Sequence, residues 1–173
     1  MKKIILFIVG CSFFACSTPK YFYDYDPQAN FSFLKTYAFF SEMDTGLSEL
    51  DEDRFTNAID SVLQSKGIQE SSNPDFKINF YASYYQTPSQ QSIGIGLGGG
   101  GGNMGMGVSG GIPIGGMKTY INLTLEFVEQ PNNILIWQGI AEARFNPEMP
   151  PEERNAFFHK IAIGILKKYP PKK

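Results

Sequence analysis

The chain has 173 residues, 42% of them hydrophobic and 14% aromatic, with 15 basic and 17 acidic side chains and a formal charge of −2. This length and apolar content are enough for one domain with its own core. The slightly acidic balance argues against nucleic acid as a partner, because nucleic-acid binding needs clustered lysine and arginine.

The first fifteen residues have the layout of an export signal. Two lysines precede an apolar run, Ile4 to Val9, which continues weakly through residue 14 and is too short to span a bilayer. Ala15 then precedes Cys16. A small residue directly before a cysteine resembles the lipobox of bacterial lipoproteins, in which cleavage occurs before the cysteine and its thiol receives a lipid. We therefore expect a lipoprotein signal peptide over 1–15, lipid (palmitate) on Cys16 and a short tether over 16–20.

Two alternatives to lipidation at Cys16 stay open. Cys11 follows the small residue Gly10 and is the better local match, but it leaves an apolar run of about six residues, below the ~7 that a signal peptide needs. The other alternative is an ordinary secretory signal without lipid, whose cleavage site would want small residues in an A-x-A-like pattern. If Cys16 is modified, the folded domain has no thiol, so disulfides, thiolate metal sites and cysteine nucleophiles are excluded. Loss of the two leading lysines leaves 13 basic and 17 acidic groups, a charge of −4.

The N-terminal half of the domain predicts two strands, a helix and a third strand. Aromatic-rich segments at 21–26 and 35–40 are typical of short strands. Apolar residues at helical spacing predict a helix over about 50–66, with acidic residues at its start and Gly67 after its end. Apolar and polar residues alternate from 75 to 85, which predicts a half-buried strand. The apolar side of this strand is Phe76, Ile78, Phe80, Ala82 and Tyr84.

The C-terminal half predicts a hairpin and a closing helix. An alternating strand at 118–128 is followed by a turn at 130–133 and by a second strand, and the two should pair antiparallel. The inward face of the second strand is expected to carry Leu135, Trp137, Gly139, Ala141 and Ala143. A helix is expected over about 151–169, with Pro151 in its first turn and two prolines stopping it.

Strands that alternate in this way need one covered face, and two amphipathic helices can cover it. The predicted fold is therefore α+β: a single, largely antiparallel sheet with both helices packed on one face. The predicted order is β-β-α-β-(glycine-rich loop)-β-β-α. We expect one domain over 21–173, with the glycine-rich loop at 93–116.

The segment from Tyr25 to Tyr37 follows the pattern D-x3-N/D-F-x3-K-T-Y. This pattern resembles the opening signature of the lipoprotein family catalogued as domain of unknown function 4136. Later features agree with the resemblance, namely Lys66-Gly67, Asn73-Pro-Asp75, the glycine-rich insert, Ile136-Trp137-Gln-Gly139 and Tyr169-Pro170. The resemblance covers essentially the whole mature chain and implies an envelope lipoprotein of Gram-negative type. The family has no assigned activity and no catalytic residues to carry over.

The glycine-rich segment, with 13 glycines between residues 93 and 116, does not meet the requirements of a phosphate cradle. Gly94–Gly99 and Gly105–Gly110 satisfy G-x-G-x-x-G, but the motif must open a helix and the next predicted element is a strand. Residues 111–119 approach a Walker A motif, but Lys118 lies one position too far and Pro113 removes an amide. We expect no nucleotide, no other cofactor and no metal.

Two interpretations of this segment stay open. It is a mobile connection between strands, or it is a hairpin that binds lipid headgroups or another sheet edge. In the hairpin, apolar residues alternate with glycine on both arms and form a candidate interaction loop. The residues concerned are Ile93, Ile95, Leu97, Met104, Met106 and Val108.

Other candidate residues each have a structural interpretation beside a functional one. Asp24 and Asp26 could act as a carboxylate pair or bind calcium, but an exposed strand end leading into an Asp-Pro turn explains them as well. His159 is the one histidine of the chain and has no evident nucleophile or acid beside it. The polar face of the sheet could form a recognition surface or simply be solvated. Its notable residues are Tyr81, Tyr85, Tyr120 and Arg144.

These observations predict a non-enzymatic binding or assembly module, held by its lipid in the outer membrane and facing the periplasm. The segment after Cys16 lacks an acidic cluster that would resemble a surface-export signal, so we expect the inner leaflet. The partners expected are the membrane, through the anchor, and an envelope protein. The alternatives are a small envelope hydrolase using Asp24 and Asp26 or His159, and a structural subunit that oligomerises through the glycine hairpin.

Overall fold

The computed structural model describes residues 18–88, 92–94, 111–113 and 116–172. Ten regular elements follow one another along these residues. The strands are β1 (Lys20–Tyr25), β2 (Thr36–Phe39), β3 (Gln69–Glu70), β4 (Phe76–Pro88), β5 (Ser92–Gly94), β6 (Gly111–Pro113), β7 (Met117–Glu129) and β8 (Ile134–Arg144), and the helices are α1 (Glu49–Ser65), after β2, and α2 (Pro151–Leu166), after β8. Strands β5 and β6 pair with each other, and the other six form one sheet in the order β1-β8-β7-β4-β2-β3.

Strands β1, β8, β7 and β4 pair antiparallel with one another, whereas β2 runs parallel to both β3 and β4. The connection from β2 to β3 and β4 passes through α1, because a parallel strand can follow only after a crossover has returned the chain to the end of the sheet where β2 began. The predicted α+β class with a largely antiparallel sheet is confirmed. The element order differs from the prediction by the two-residue strand β3 and by the β5–β6 pair.

Both helices lie on the same face of the sheet. The ring of Phe55 in α1 lies 5.1 Å from the ring of Phe80 in β4, and Ile165 in α2 lies directly above Gly139 in β8. Phe80 and Gly139 are both register partners of Leu125 in β7, so they point to one side of the sheet. Apolar residues at helical spacing form one stripe on each helix, and all of them are buried: Phe55, Ala58, Ile59, Val62, Leu63, Phe158, Ile161, Ala162 and Ile165.

The inward alternation of β4 holds for its first half only. Phe76, Ile78 and Phe80 are fully buried, whereas Tyr84, predicted on the same side, is 43% exposed. Tyr84 packs against Phe145 at a centroid distance of 5.4 Å. Beyond the row of Tyr85, Tyr120 and Arg144, β4 continues with β7 alone, as a two-stranded arm that pairs as far as Pro88.

The prediction is wrong for one core residue because β8 contains a β-bulge. Leu135, expected on the inward face of β8, is 48% exposed, whereas Ile136 is 2% exposed. In the register with β7, Trp137 lies opposite Phe127 and Leu135 opposite Val128, so Ile136 is the extra residue. A residue inserted into one strand shifts the alternation of every side chain beyond it.

The helix ends follow local capping chemistry. The Ser48 hydroxyl accepts a hydrogen bond from the amide of Asp51 at the start of α1, and Gly67 after its end has a φ of +77°, which glycine adopts most readily. Helix α2 ends at Leu166, three residues before the predicted end. The chain turns there because the ring of Tyr169 enters the core and packs edge-on against Phe127 at 4.7 Å.

Different segments of the chain extend from the two ends of the sheet. At one end, which we call the tether end, β1 begins at Lys20 and the β4–β7 arm projects toward Pro88 and Met117. At the opposite end, the turn end, β7 connects to β8 and β1 runs into its following turn. The N-terminal tether and the glycine-rich segment therefore leave the domain at the same end.

Candidate functional site

The face of the sheet opposite the helices is uncovered in the described structure, and we call it the open face. Its side chains come from alternate positions of β1, β8, β7 and β4 and form cross-strand rows. Tyr85, Tyr120 and Arg144 form the row at the tether end, as their register pairing shows. Three of the four predicted polar-face residues thus form one row, and the fourth, Tyr81, lies two rows away.

The row at the tether end is built from stacked aromatic rings and neighbouring charges. The Tyr85 and Tyr120 rings stack at 5.4 Å with an interplanar angle of 14°. In the adjacent row the Lys20 ammonium donates to Glu142 Oε1 at 3.0 Å, and this hydrogen bond raises the pKa of Lys20. Partial desolvation, together with the Glu142 carboxylate, raises the pKa of Tyr85. Tyr85 is therefore neutral near pH 7, and the row combines flat rings with a guanidinium.

An apolar band crosses the open face beside these charges. Tyr81, Thr124, Ile140 and Phe22 are successive register partners from β4 to β1. Phe22 is 55% and Tyr81 40% exposed, whereas Thr124 between their rows is 6% exposed. The two exposed aromatic side chains therefore lie at the two ends of the band, where they offer a partner large contact areas.

A polar ladder forms the next row. The Glu126 carboxylate accepts from Asn79 Nδ2 and from Gln138 Nε2, each at 3.0 Å. These bonds fix three side chains of three strands in one arrangement. The open face is therefore ordered, with an apolar band between two polar rows.

Asp24 and Asp26 lie at the turn end, where they line a shallow depression of about 340 Å³ with residues of β8. They do not share a strand, because β1 ends at Tyr25. Asp26 Oδ1 accepts from the amide of Gln28 at 2.8 Å, and Asp24 Oδ1 accepts from the amide of Tyr25 at 2.9 Å. Both carboxylates thus accept hydrogen bonds from backbone amides at the strand end and the turn. This arrangement agrees with the structural interpretation of the pair.

His159 is exposed on α2 and lies elsewhere, in a second shallow depression that it shares with Arg54 and Asn155. The structure does not bring His159 together with the aspartate pair. Among the described residues there is no group of three or more histidine, cysteine or acidic side chains arranged to hold a metal ion.

A groove at the turn end was not anticipated from the sequence, and we call it the terminal groove. It has a volume of about 400 Å³ and lies between β1 and the segment after α2. It is lined by Tyr23, Tyr25, Lys167, Lys168, Pro170, Pro171 and Lys172. No periodicity marks it, because its two walls are far apart in the sequence and come together only when β1 pairs with β8 and α2 packs against Tyr21.

The predicted interaction loop falls largely outside the described residues. The backbone of β5 pairs with that of β6, with Ile93 opposite Ile112. The remaining predicted residues, Ile95, Leu97, Met104, Met106 and Val108, lie outside the described part, as does Cys16. The hairpin, the mobile connection and the lipidation site stay predictions.

Two of the sequence motifs used for the family resemblance contact each other where β2 pairs with the start of β4. Asp75 Oδ2 accepts three hydrogen bonds of 2.8 Å, from the amides of Lys35 and Thr36 and from the Thr36 hydroxyl. Burial pushes the pKa of Asp75 upward, but these hydrogen bonds outweigh it and the pKa lies below its ordinary value. Next to them Tyr37 is fully buried and donates to Asp60. The K-T-Y and N-P-D motifs therefore hold β2 against β4.

None of the helices in the described part of the chain is long and apolar enough to cross a membrane. Among curated proteins none matches the chain significantly.

Solved structures share its fold. A DUF4136 family protein from Bacteroides thetaiotaomicron has 12% sequence identity and a TM-score of 0.50, with 89% of this chain and 97% of that chain covered. A PDZ domain protein from Parabacteroides distasonis has 12% identity and a TM-score of 0.56, with 91% of this chain covered but only 38% of that chain. The family model described as domain of unknown function DUF4136 matches residues 21–171. The chain therefore belongs to the DUF4136 family.

Proposed function

We propose that this DUF4136 protein is a non-enzymatic binding module of the cell envelope, tethered to the outer membrane by a lipid on Cys16 and facing the periplasm. The observation that carries the binding role is the open face, on which an apolar band with exposed aromatic side chains at both ends, Tyr81 and Phe22, lies between two ordered polar rows. Aromatic residues and arginine contribute strongly to binding surfaces because they bury large areas at little entropic cost.

The position of the tether supports an orientation for this module. Lys20 lies four positions after Cys16, so their Cα atoms lie no more than about 14 Å apart even in a fully extended chain. A lipid on Cys16 would hold the tether end of the sheet close to the bilayer. The strands would then stand away from the membrane, with the open face accessible from the side and the turn end pointing into the periplasm.

Lipidation is tested by metabolic labelling of cells with a palmitate analogue. Wild-type protein and the Cys11→Ser variant are expected to carry the label and to remain with the outer membrane after fractionation. The Cys16→Ser variant is expected to lose both. Label that persists in Cys16→Ser and disappears in Cys11→Ser would place the anchor at Cys11, and absence of label in all three would refute the tether.

The binding role is tested by photocrosslinking in cells. Benzoylphenylalanine replaces Tyr81 on the open face or, as a matched control, Ile163, which is 48% exposed on the outer side of α2. We expect a discrete adduct from position 81 and none from position 163. Equal adducts from both positions, or none from position 81, would contradict recognition through the open face.

The predicted glycine-rich interaction loop is tested in the same cells. Photoreactive residues at Ile95 and Met106 are compared with a deletion of 93–116. A protein adduct would make the loop a second interaction surface, and an adduct with lipid alone would identify it as a membrane contact. A deletion strain indistinguishable from wild type, together with no adduct, would leave the open face as the one candidate.

A further inference from the structure

We propose that the terminal groove binds a sugar that carries an anionic group, either a carboxylate or a phosphate. This site lies at the opposite end of the sheet from the tether and does not depend on lipidation at Cys16 or on binding at the open face. The argument rests on the charges that line the groove, on its aromatic wall and on the way its other wall is held.

The lining of the groove is cationic. Lys167, Lys168 and Lys172 all contribute to it, and no acidic side chain does. In the part of the chain that the structure describes, none of these three lysines lies within ion-pair distance of a carboxylate. Three ammonium groups on one concave surface without a counter-charge favour an anionic ligand.

The helix dipole accounts for part of this charge only. Lys167 and Lys168 directly follow the last residue of α2, where cations stabilise the negative end of a helix. Lys172 lies beyond Pro170 and Pro171 and cannot serve that purpose, because the dipole effect falls off within the last turn. The helix dipole therefore does not account for the charge that Lys172 adds to the groove.

The opposite wall of the groove consists of tyrosine rings. Tyr23 is 47% exposed although it lies on the helix-facing side of β1, opposite Gly139. The Lys168 ammonium lies 5.6 Å from the centre of the Tyr23 ring. A flat, partly exposed aromatic face next to a cation suits a ligand with an apolar ring face and a charged substituent, whereas free phosphate would use the cations alone. A sugar ring with its axial C–H groups has such a face.

The wall that carries Pro170 and Pro171 is held in place by the core. The side chain of Tyr169 is 2% exposed, and its ring packs against Phe31, Phe127 and Trp137 at centroid distances of 5.9, 4.7 and 5.3 Å. The residues that follow Tyr169 are therefore positioned before any ligand arrives. A preformed site loses little conformational entropy when it binds.

The proposal is tested by NMR titration of the full-length mature protein in detergent micelles. Glucose 6-phosphate and glucuronate are the probes, while glucose supplies the ring without the charge and inorganic phosphate the charge without the ring. We expect saturable shifts at the amides of Tyr23, Lys168 and Lys172 with both charged sugars, weaker ones with phosphate and none with glucose. Binding should weaken as salt is added, since the lysines are exposed.

Two variants and a control locate the interaction. Lys168→Gln is expected to weaken binding of the charged sugars about threefold, a typical effect of one exposed charge. Tyr23→Val keeps a strand-forming residue and should weaken the charged sugars without affecting phosphate. Lys66→Gln removes an exposed lysine after α1 and should leave the affinity unchanged.

Four results would overturn the proposal. Equal affinity for glucose and the charged sugars would exclude recognition of the anion, and equal affinity for phosphate would exclude recognition of the ring. Absence of saturable shifts in the groove, or an equal effect of Lys66→Gln and Lys168→Gln, would exclude the site. The amide spectrum of each variant shows whether it is folded, so a loss of binding is not confused with unfolding.

Discussion

The sharpest stability prediction concerns Asp51, whose carboxylate joins the two helices. Its two oxygens accept from Arg54 at 2.8 Å within α1 and from Arg154 at 3.1 Å in α2. The side chain of Asp51 is 4% exposed, and those of the arginines are 18% and 19% exposed. Replacing this carboxylate by an amide removes the charge that both guanidinium groups face, at nearly constant volume.

The magnitude follows from the burial of the three groups. Removing one partner of a buried ion pair typically costs about 3–5 kcal/mol, because the remaining charge is left without compensation. Both arginines keep some contact with water, so the Asp51→Asn loss should lie near the lower limit, at about 3 kcal/mol. Hydrogen bonds to charged groups, worth about 1.5–3 kcal/mol each, lead to a similar value.

The assay is urea denaturation of the Cys16→Ser protein, followed by the fluorescence of the single tryptophan, Trp137, which is 1% exposed in the core. Glu142→Gln, which breaks the exposed pair with Lys20, is the matched control and should cost much less. A double-mutant cycle with Arg154→Met should show a coupling energy of about 2 kcal/mol. A loss in Asp51→Asn no larger than in Glu142→Gln would refute the argument from burial.

Three further changes test other contacts of the core by the same denaturation assay. Gly164→Ala places a methyl group on the ring of Tyr21, and this overlap should outweigh the ~1 kcal/mol that alanine gains over glycine in a helix. In the Tyr21→Val background the same change should raise the unfolding free energy. A loss of stability in both backgrounds would contradict the clash. The buried hydroxyl of Tyr169 has no hydrogen-bond partner among the described atoms, and burial raises the pKa of its phenol. Tyr169→Phe should therefore keep or raise the unfolding free energy, whereas a loss above about 1 kcal/mol would mean that the hydroxyl is paired. The pKa of Asp75 is lower in the folded than in the unfolded chain. Its contribution to the unfolding free energy is therefore complete above the unfolded pKa of about 3.9 and is lost as the pH falls through the folded value. The stability advantage of wild type over Asp75→Asn should shrink below about pH 4, and an advantage independent of pH would contradict the assignment.

Local patterns were sufficient for most of the fold. The strands β4 and β7 and the buried stripes of both helices follow from periodicity, because each buries one regular face in a single core. Features that depend on how two segments pair or pack in space were not predictable. The bulge at Ile136 belongs to the pairing of β7 with β8, and Gly164 looks unfavourable in a helix until the approach of Tyr21 is known.

The same distinction holds for the candidate sites. Tyr85, Tyr120 and Arg144 were expected on one polar face, and the structure places them in one row, because alternation decides the face and register decides the row. The terminal groove was not predicted, because lysines after a helix and aromatic residues in an edge strand are each common without a binding site. Only their juxtaposition distinguishes them, and it depends on β1 meeting the segment after α2.

The pairing of the first strand with the last has a consequence for the order in which the domain assembles. Lys20 lies opposite Glu142, so β1 has no strand to join until nearly the whole chain has been made. Contacts of such long sequence separation form slowly and leave hydrophobic segments uncovered in the meantime. The aromatic strand that emerges first during synthesis or export is thus the last to find its place, and the nascent chain must be kept from aggregating until β8 arrives.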